Sequence, residues 1–195
     1  TLRHYGALSA YGSDIPIACA GIISKVNQVF MAICIGISQG SQPILGFNYG
    51  AEKYSRVRQT YRYSVTLCTV IATIFFICFQ FFPHQIVGIF GNGSDLYFHF
   101  AEKYLRIFML MTFANGIQPM SACFFTSIGK ARLGVIMSLT RQVLFLLPLI
   151  VIFPVFFGID GVMYAGPIAD TSAFVLAVVF ARRELGVMKA AEQNA

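Results

Sequence analysis

Charge is scarce in this chain. Lys, Arg, Asp and Glu make up 11% of its 195 residues, against about 25% in a typical soluble domain. A soluble protein of this size needs charge over a wide wet exterior, because one core cannot hide most of its surface. Catalytic signatures are missing too. There is no HExxH, no GxSxG, no glycine-rich phosphate loop and no pair of carboxylates at helical spacing. The histidines, His4, His84 and His99, are too scattered for a metal cluster. Cys19, Cys34, Cys68, Cys78 and Cys123 form no CxxC and sit in apolar runs, as small packing residues do. No apolar signal-peptide segment follows Arg3 and His4, and the chain, starting at Thr1, is expected to lack most of a preceding helix. No Pro/Gly/Ser linker, internal repeat or low-complexity tract divides it. These absences exclude an ordinary soluble enzyme, a disordered chain and a disulfide scaffold, and no cofactor or metal is expected.

What the chain has in excess is apolar surface. Apolar residues make up 57% of it and Phe alone contributes 20 residues, where roughly 45–50% apolar is usual. That points to an all-α, polytopic membrane bundle, because only helices and closed barrels satisfy their own backbone in lipid. Crossing the hydrocarbon takes about 20 helical residues. Five spans are expected, at 15–45, 60–82, 100–127, 134–157 and 161–181. Residues 1–14 read as the end of a sixth helix plus a turn at Tyr11–Asp14. Breaks are expected at Gly46–Gly50, Pro83–Gly93, Gly129-Lys130 and Pro154–Gly161, with the segment from Pro83 lying flat in the interface.

The net charge is +6, and its distribution sets the topology. Lys53, Arg56, Arg58 and Arg62 fall between the first two spans, Lys130 and Arg132 between the third and fourth, and Arg182, Arg183 and Lys189 in the tail. The alternate loops, 83–99 and 154–161, hold neither Lys nor Arg. The basic side is therefore expected in the cytoplasm, with the C-terminus, in a multi-pass protein of the cell membrane. Lys103 and Arg106 dissent mildly and are expected to snorkel outward. Basic residues placed between apolar spans suit anionic lipid, not nucleic acid.

Polar groups inside the spans mark where function sits. In the first span, Ile22, Val26, Val29, Ile33, Ile37, Gly40 and Ile44 form one stripe at 100° per residue. Ser24, Asn27, Gln28, Ser38, Gln39, Ser41 and Gln42 avoid that stripe, and Lys25 lies beside them. This face either packs by interhelical hydrogen bonds, worth about 0.6 kcal/mol each, or walls a cavity. The charges inside spans are Lys25, Arg141 and Asp170. At about 1.5 Å per residue, Asp170 lies about 16 Å and Arg141 about 10 Å from the inner end, within reach of one arginine side chain. The pair is structural or takes part in ion coupling. Pro43, Pro119, Pro148 and Pro167 interrupt the helices, either as hinges or as ordinary membrane-helix prolines. The cluster Asn115, Gly116, Gln118 and Pro119 is the most suggestive.

More specific is the run GISQGSQPILGFNYGAEKYSRVR from Gly36 to Arg58, with Gly40, Pro43, Gly46, Asn48, Gly50 and Ala51. It resembles a block ending the second helix of the C-terminal lobe in multidrug and toxic compound extrusion (MATE) transporters. Further matches follow in order: Ile89-Phe90-Gly91, Tyr104–Ile107, Phe124-Phe125, Ile128-Gly129-Lys130, Arg141-Gln142, Leu147-Pro148, Phe157–Val162 and Pro167–Asp170. The resemblance covers nearly the whole chain and is strongest to the bacterial MepA-like branch. It implies residues 1–195 are the C-terminal lobe of a secondary transporter whose partner is an N-terminal lobe. Such transporters export organic cations and other amphiphiles against H+ or Na+. Family members often carry an acidic cation ligand in the tenth helix of the whole protein. Counting back from Gln118, that position is Asn115 here, which weighs against a Na+ site in this lobe. The family's other key carboxylate lies in the N-terminal lobe. The resemblance implies a substrate or ion pathway formed by Lys25, Asn27, Gln28, Gln39, Gln42, Asn115, Gln118, Arg141 and Asp170. The alternatives are a flippase of lipid-linked oligosaccharide or lipid II in the same superfamily, which usually has more cavity arginines, and a channel or non-transporting membrane scaffold.

Overall fold

The computed structural model describes residues 5, 11, 12, 14–90 and 93–193. The expected end of a sixth helix falls mostly outside them. Tyr11 and Gly12 form a turn, Gly12 at φ +70°. The described residues build an all-α bundle: α1 (Asp14–Gly50), α2 (Tyr54–Phe81), α3 (Pro83–Phe90), α4 (Asp95–Phe108), α5 (Thr112–Asn115), α6 (Ile117–Ser127), α7 (Ala131–Leu139), a π-helical stretch Thr140–Leu146, α8 (Leu147–Phe157) and α9 (Ile159–Gln193). Four helical runs are long and apolar enough to cross a membrane: α1, α2, Ala131–Phe157 and α9. A fifth span forms if α4 and Thr112–Ser127, bent by 47°, are taken together. Four of the five expected spans are single helical runs, and the third corresponds to this bent pair.

The breaks differ from expectation at two places. The glycines at Gly46–Gly50 stay helical, and α1 runs on to Gly50, past the expected end at 45. Lys53 N–H donates to Asn48 O and Glu52 N–H to Tyr49 O, with Glu52 at φ 57°. This is the left-handed closure that helices use to satisfy their last carbonyls. A non-glycine residue fills the left-handed position, so no glycine marks it. The same closure ends α6, where Gly129 takes φ 79° and Lys130 N–H reaches Phe125 O. The expected break from Pro154 to Gly161 shrinks to one residue. Gly158, at φ 59°, turns the chain directly from α8 into α9.

Pro83 opens α3 at the break after Phe81, but the prolines within the spans are not where the helices break. Pro43 and Pro167 lie inside continuous α1 and α9. Pro119 occupies the first turn of α6, where its missing N–H costs nothing. The bend falls at Met109–Met111 instead. Pro148 follows the π-helical stretch. A proline ring crowds the carbonyl four residues earlier, and a wider turn relieves that clash.

Two apolar clusters stack along the bundle. One joins Ile23, Phe30, Phe100, Leu105 and Met163; the other joins Leu45, Tyr61, Met120, Phe124 and Ala177. The central helix is α9: half of its apolar window is buried, against 17% in α2 and in Ala131–Phe157. Its buried stripe is rich in small residues, Ala165, Gly166, Ala169, Ala173, Ala177 and Ala181. Small side chains let helix axes approach where lipid gives no hydrophobic drive. A Cβ on Gly134 would stand 2.5 Å from Thr126 Cγ2 and 2.9 Å from Ala122 O, so that glycine permits α6 and α7 to touch. Val29, Phe47, Val143, Val151 and Phe156 point outward and exposed, as lipid-facing side chains do. The expected stripe on α1 is split. Val29, Ile33 and Ile44 are exposed, but Val26 is buried in the core.

Charges pair at both ends. Arg58 bonds Glu192, and Lys130 bonds both oxygens of Glu184 at 2.6 Å. At the other end, Lys103 bonds both oxygens of Asp160 at 2.8 Å, and His84 meets Glu102 at 2.7 Å. Lys103 dissents from the loop-charge pattern because Asp160 compensates it.

Candidate functional site

A polar layer separates the two apolar clusters. Ser38 and Ser41 enter it from α1, between Cys34 and Leu45. Asn115 enters between Met109 and Met120, and Asp170 from α9 between Met163 and Ala177. Asp170 is 2% exposed. Its Oδ1 accepts from Arg141 Nε at 2.5 Å, and its Oδ2 accepts from Asn115 Nδ2 at 2.7 Å. Three spans are therefore joined through one carboxylate. The sequence brings Arg141 and Asp170 within reach by depth, and Arg141 lies in the first turn of the π-helical stretch.

Ser38 and Ser41, expected on the polar face of α1, instead turn inward. Their hydroxyls donate to Cys34 O and Ser38 O at 2.8 Å. A hydroxyl satisfied on its own helix can be buried without a partner from another span. The remaining polar face stays outside: Ser24, Lys25, Gln28, Gln39 and Gln42 are exposed, and Asn27 is half-buried with its Oδ1 unpartnered.

Beside the polar layer lies a cavity of about 540 Å³ between α1, α6, α7 and the π-helical stretch. Gln39, Gln42, Gln118, Arg141 and Gln142 line it, over an apolar wall that includes Ile35 and Leu139. Gln118 is held by its Nε2 donating to Met137 O at 2.8 Å. Thus Gln39, Gln42, Gln118 and Arg141 converge on one space. Lys25, Asn27 and Gln28 lie further along α1 and do not line it, and Asn115 and Asp170 sit behind Arg141. Among the described residues, no group of three or more His, Cys, Asp or Glu is placed to hold a metal.

The MatE family model matches residues 6–158, more than half of the chain. The chain belongs to the MatE family. Multidrug export protein MepA of Staphylococcus saprophyticus is 26% identical over 186 residues, which cover 94% of this chain and 40% of that protein. MepA of Staphylococcus aureus (strain MSSA476) is 25% identical over 178 residues, 91% of this chain and 37% of its own length. Among solved structures, MATE multidrug transporter DinF-BH in complex with R6G matches with a TM-score of 0.80 at 34% identity, over 91% of this chain and 40% of that one. An outward-facing MATE transporter matches the fold with a TM-score of 0.86, over 97% of this chain and 42% of its own, at 16% identity. The chain thus spans about two fifths of the length of the relatives it matches.

MATE family members are transporters, not enzymes. With its apolar spans, this MATE chain is a multi-pass membrane protein. Its motif residues divide by position. Gly40, Pro43, Gly50 and Ala51 are exposed, and Gly46 faces Ser127 O across α6. Asn48 is buried, its Nδ2 donating to Ile44 O at 2.8 Å. Gly129 closes α6, and Lys130 holds Glu184. Sequence reasoning missed Glu184, Asp160 and Gln142. The first two are ordinary acidic residues until the fold places a lysine beside them. Gln142 was visible only as a neighbour of Arg141.

Proposed function

We propose that residues 1–195 form the C-terminal lobe of a secondary active multidrug transporter, completed by an N-terminal lobe. It exports cationic or amphipathic compounds by antiport with H+ or Na+. The observation that carries the reading is the cavity faced by Gln39, Gln42, Gln118 and Arg141, continuous with the exposed polar face of α1 that bears Lys25 and Gln28. Exposed amides are costly against lipid but well placed against water or an opposing lobe. The multidrug export relatives support the substrate class. Few arginines near the cavity favour this reading over a lipid-linked oligosaccharide flippase.

The basic loops face the cytoplasm in this reading, with the C-terminus, and membrane lipid surrounds the apolar girdle. Both oxygens of Asp170 accept from N–H donors, which disfavours a bound Na+ there. Asp170 and Asn115 tie spans together, and the coupling carboxylate lies in the N-terminal lobe. Proteoliposomes holding both lobes and loaded with ethidium test the proposal. Dye release driven by an imposed proton or Na+ gradient is expected; release under neither gradient contradicts it.

A further inference from the structure

The cavity wall carries an arginine and no carboxylate. Its lining includes no Asp or Glu, and Asp170 is shielded behind Arg141. A site that selects cations by charge needs an acidic group on its surface, so charge does not make this one a cation site.

Arg141 is nine-tenths buried, its side chain 7% exposed, yet only one of its nitrogens has a partner. Nε donates to Asp170 Oδ1 at 2.5 Å, while Nη1 and Nη2 donate to no described residue. A guanidinium presents five N–H donors in a planar fork, and those on Nη1 and Nη2 stay open to a further acceptor. The second oxygen of Asp170 is already taken by Asn115, so Asp170 cannot turn to meet the fork. The Nη edge belongs to a residue that lines the cavity, beside the amides of Gln39, Gln42 and Gln142. Met31, Ile35, Val135 and Leu139 also line the cavity and give it apolar surface for a flat or aliphatic body.

We propose that this cavity binds amphiphiles through an acceptor group, a carboxylate above all, held by the free Nη edge of Arg141. This rests on the reading of the cavity as a drug site and narrows its substrate class to zwitterionic and acidic amphiphiles. A carboxylate accepts two parallel N–H bonds from a guanidinium, which an ester cannot match in charge. Asp170 fixes the fork by its Nε and leaves the Nη edge to the ligand.

Two dyes that differ by one methyl group test this. Rhodamine 110 carries a free carboxylate, and rhodamine 123 is its methyl ester. Fluorescence anisotropy with the 195-residue chain in nanodiscs should show rhodamine 110 binding about tenfold tighter. Arg141→Gln alone orphans Asp170 and risks misfolding, so the deciding variant is the double Arg141→Gln, Asp170→Asn, which removes both charges. Its fold is checked by circular dichroism, and it should bind the two dyes alike. Asp170→Asn alone should keep or widen the preference, because the fork remains. Equal binding of the two dyes by the unmodified chain, or a preference that survives the double substitution, overturns the carboxylate assignment and leaves the drug site standing. Binding of neither dye overturns the assignment and the drug site together.

Discussion

Asp170 is the residue on which the interior of the bundle turns. Its carboxylate holds Arg141 and Asn115, from two other spans, in a layer where water does not compete. Taking its charge away leaves a buried guanidinium without a counter-ion, a loss of about 3–5 kcal/mol for buried pairs. Asp170→Asn is therefore expected to lower the melting temperature of the detergent-solubilised chain. Adding Arg141→Gln should recover part of the loss by removing the orphan charge. An unchanged melting temperature in the single variant contradicts the structural role. The pair was legible in the sequence because charges within apolar spans are few and their depths are countable. Asn115 was legible as a polar residue near a proline but not as the second partner of Asp170. An amide carries no charge that demands a partner. Lys103–Asp160 and Lys130–Glu184 were hidden for another reason: their members lie 57 and 54 residues apart, outside any local pattern.

At the scale of elements, span existence was readable and span ends were not. Length and hydropathy fix a crossing, because the bilayer sets the distance. Ends depend on single backbone conformations. Glu52 in the left-handed region closes α1 only after the stretch Gly46–Gly50, and composition does not announce it. The 47° bend after Phe108 and the π-helical stretch lie near prolines without containing one. The segments 51–62, 128–133 and 182–195 carry the loop lysines and arginines, and we propose that they face the cytoplasm. The ion pairs agree in grouping, since Arg58 with Glu192 and Lys130 with Glu184 gather these segments at one end. In a cysteine-free background, a membrane-impermeant maleimide added to whole cells should label Ser94→Cys and spare Ser55→Cys. The opposite pattern reverses the orientation.

For the whole molecule, the division of surfaces is the central fact. Two apolar clusters and a polar layer hold the bundle, and an exposed apolar girdle meets lipid. One strip of α1, from Ser24 to Gln42, belongs to neither, and it borders the cavity beside Arg141. The sequence shows this strip as polar residues off an apolar stripe, yet it does not separate the inward serines from the outward amides. That distinction follows from which positions of α1 are covered once α6 packs against it. A lobe with one such open face is expected to fold but not to transport until a second lobe covers it. Ethidium accumulation in cells lacking their own drug pumps tests this most directly. Expressing the 195-residue chain alone should leave accumulation unchanged, and expressing it with its N-terminal lobe should lower it. Lowered accumulation with the chain alone, or no change with both lobes present, would contradict the account.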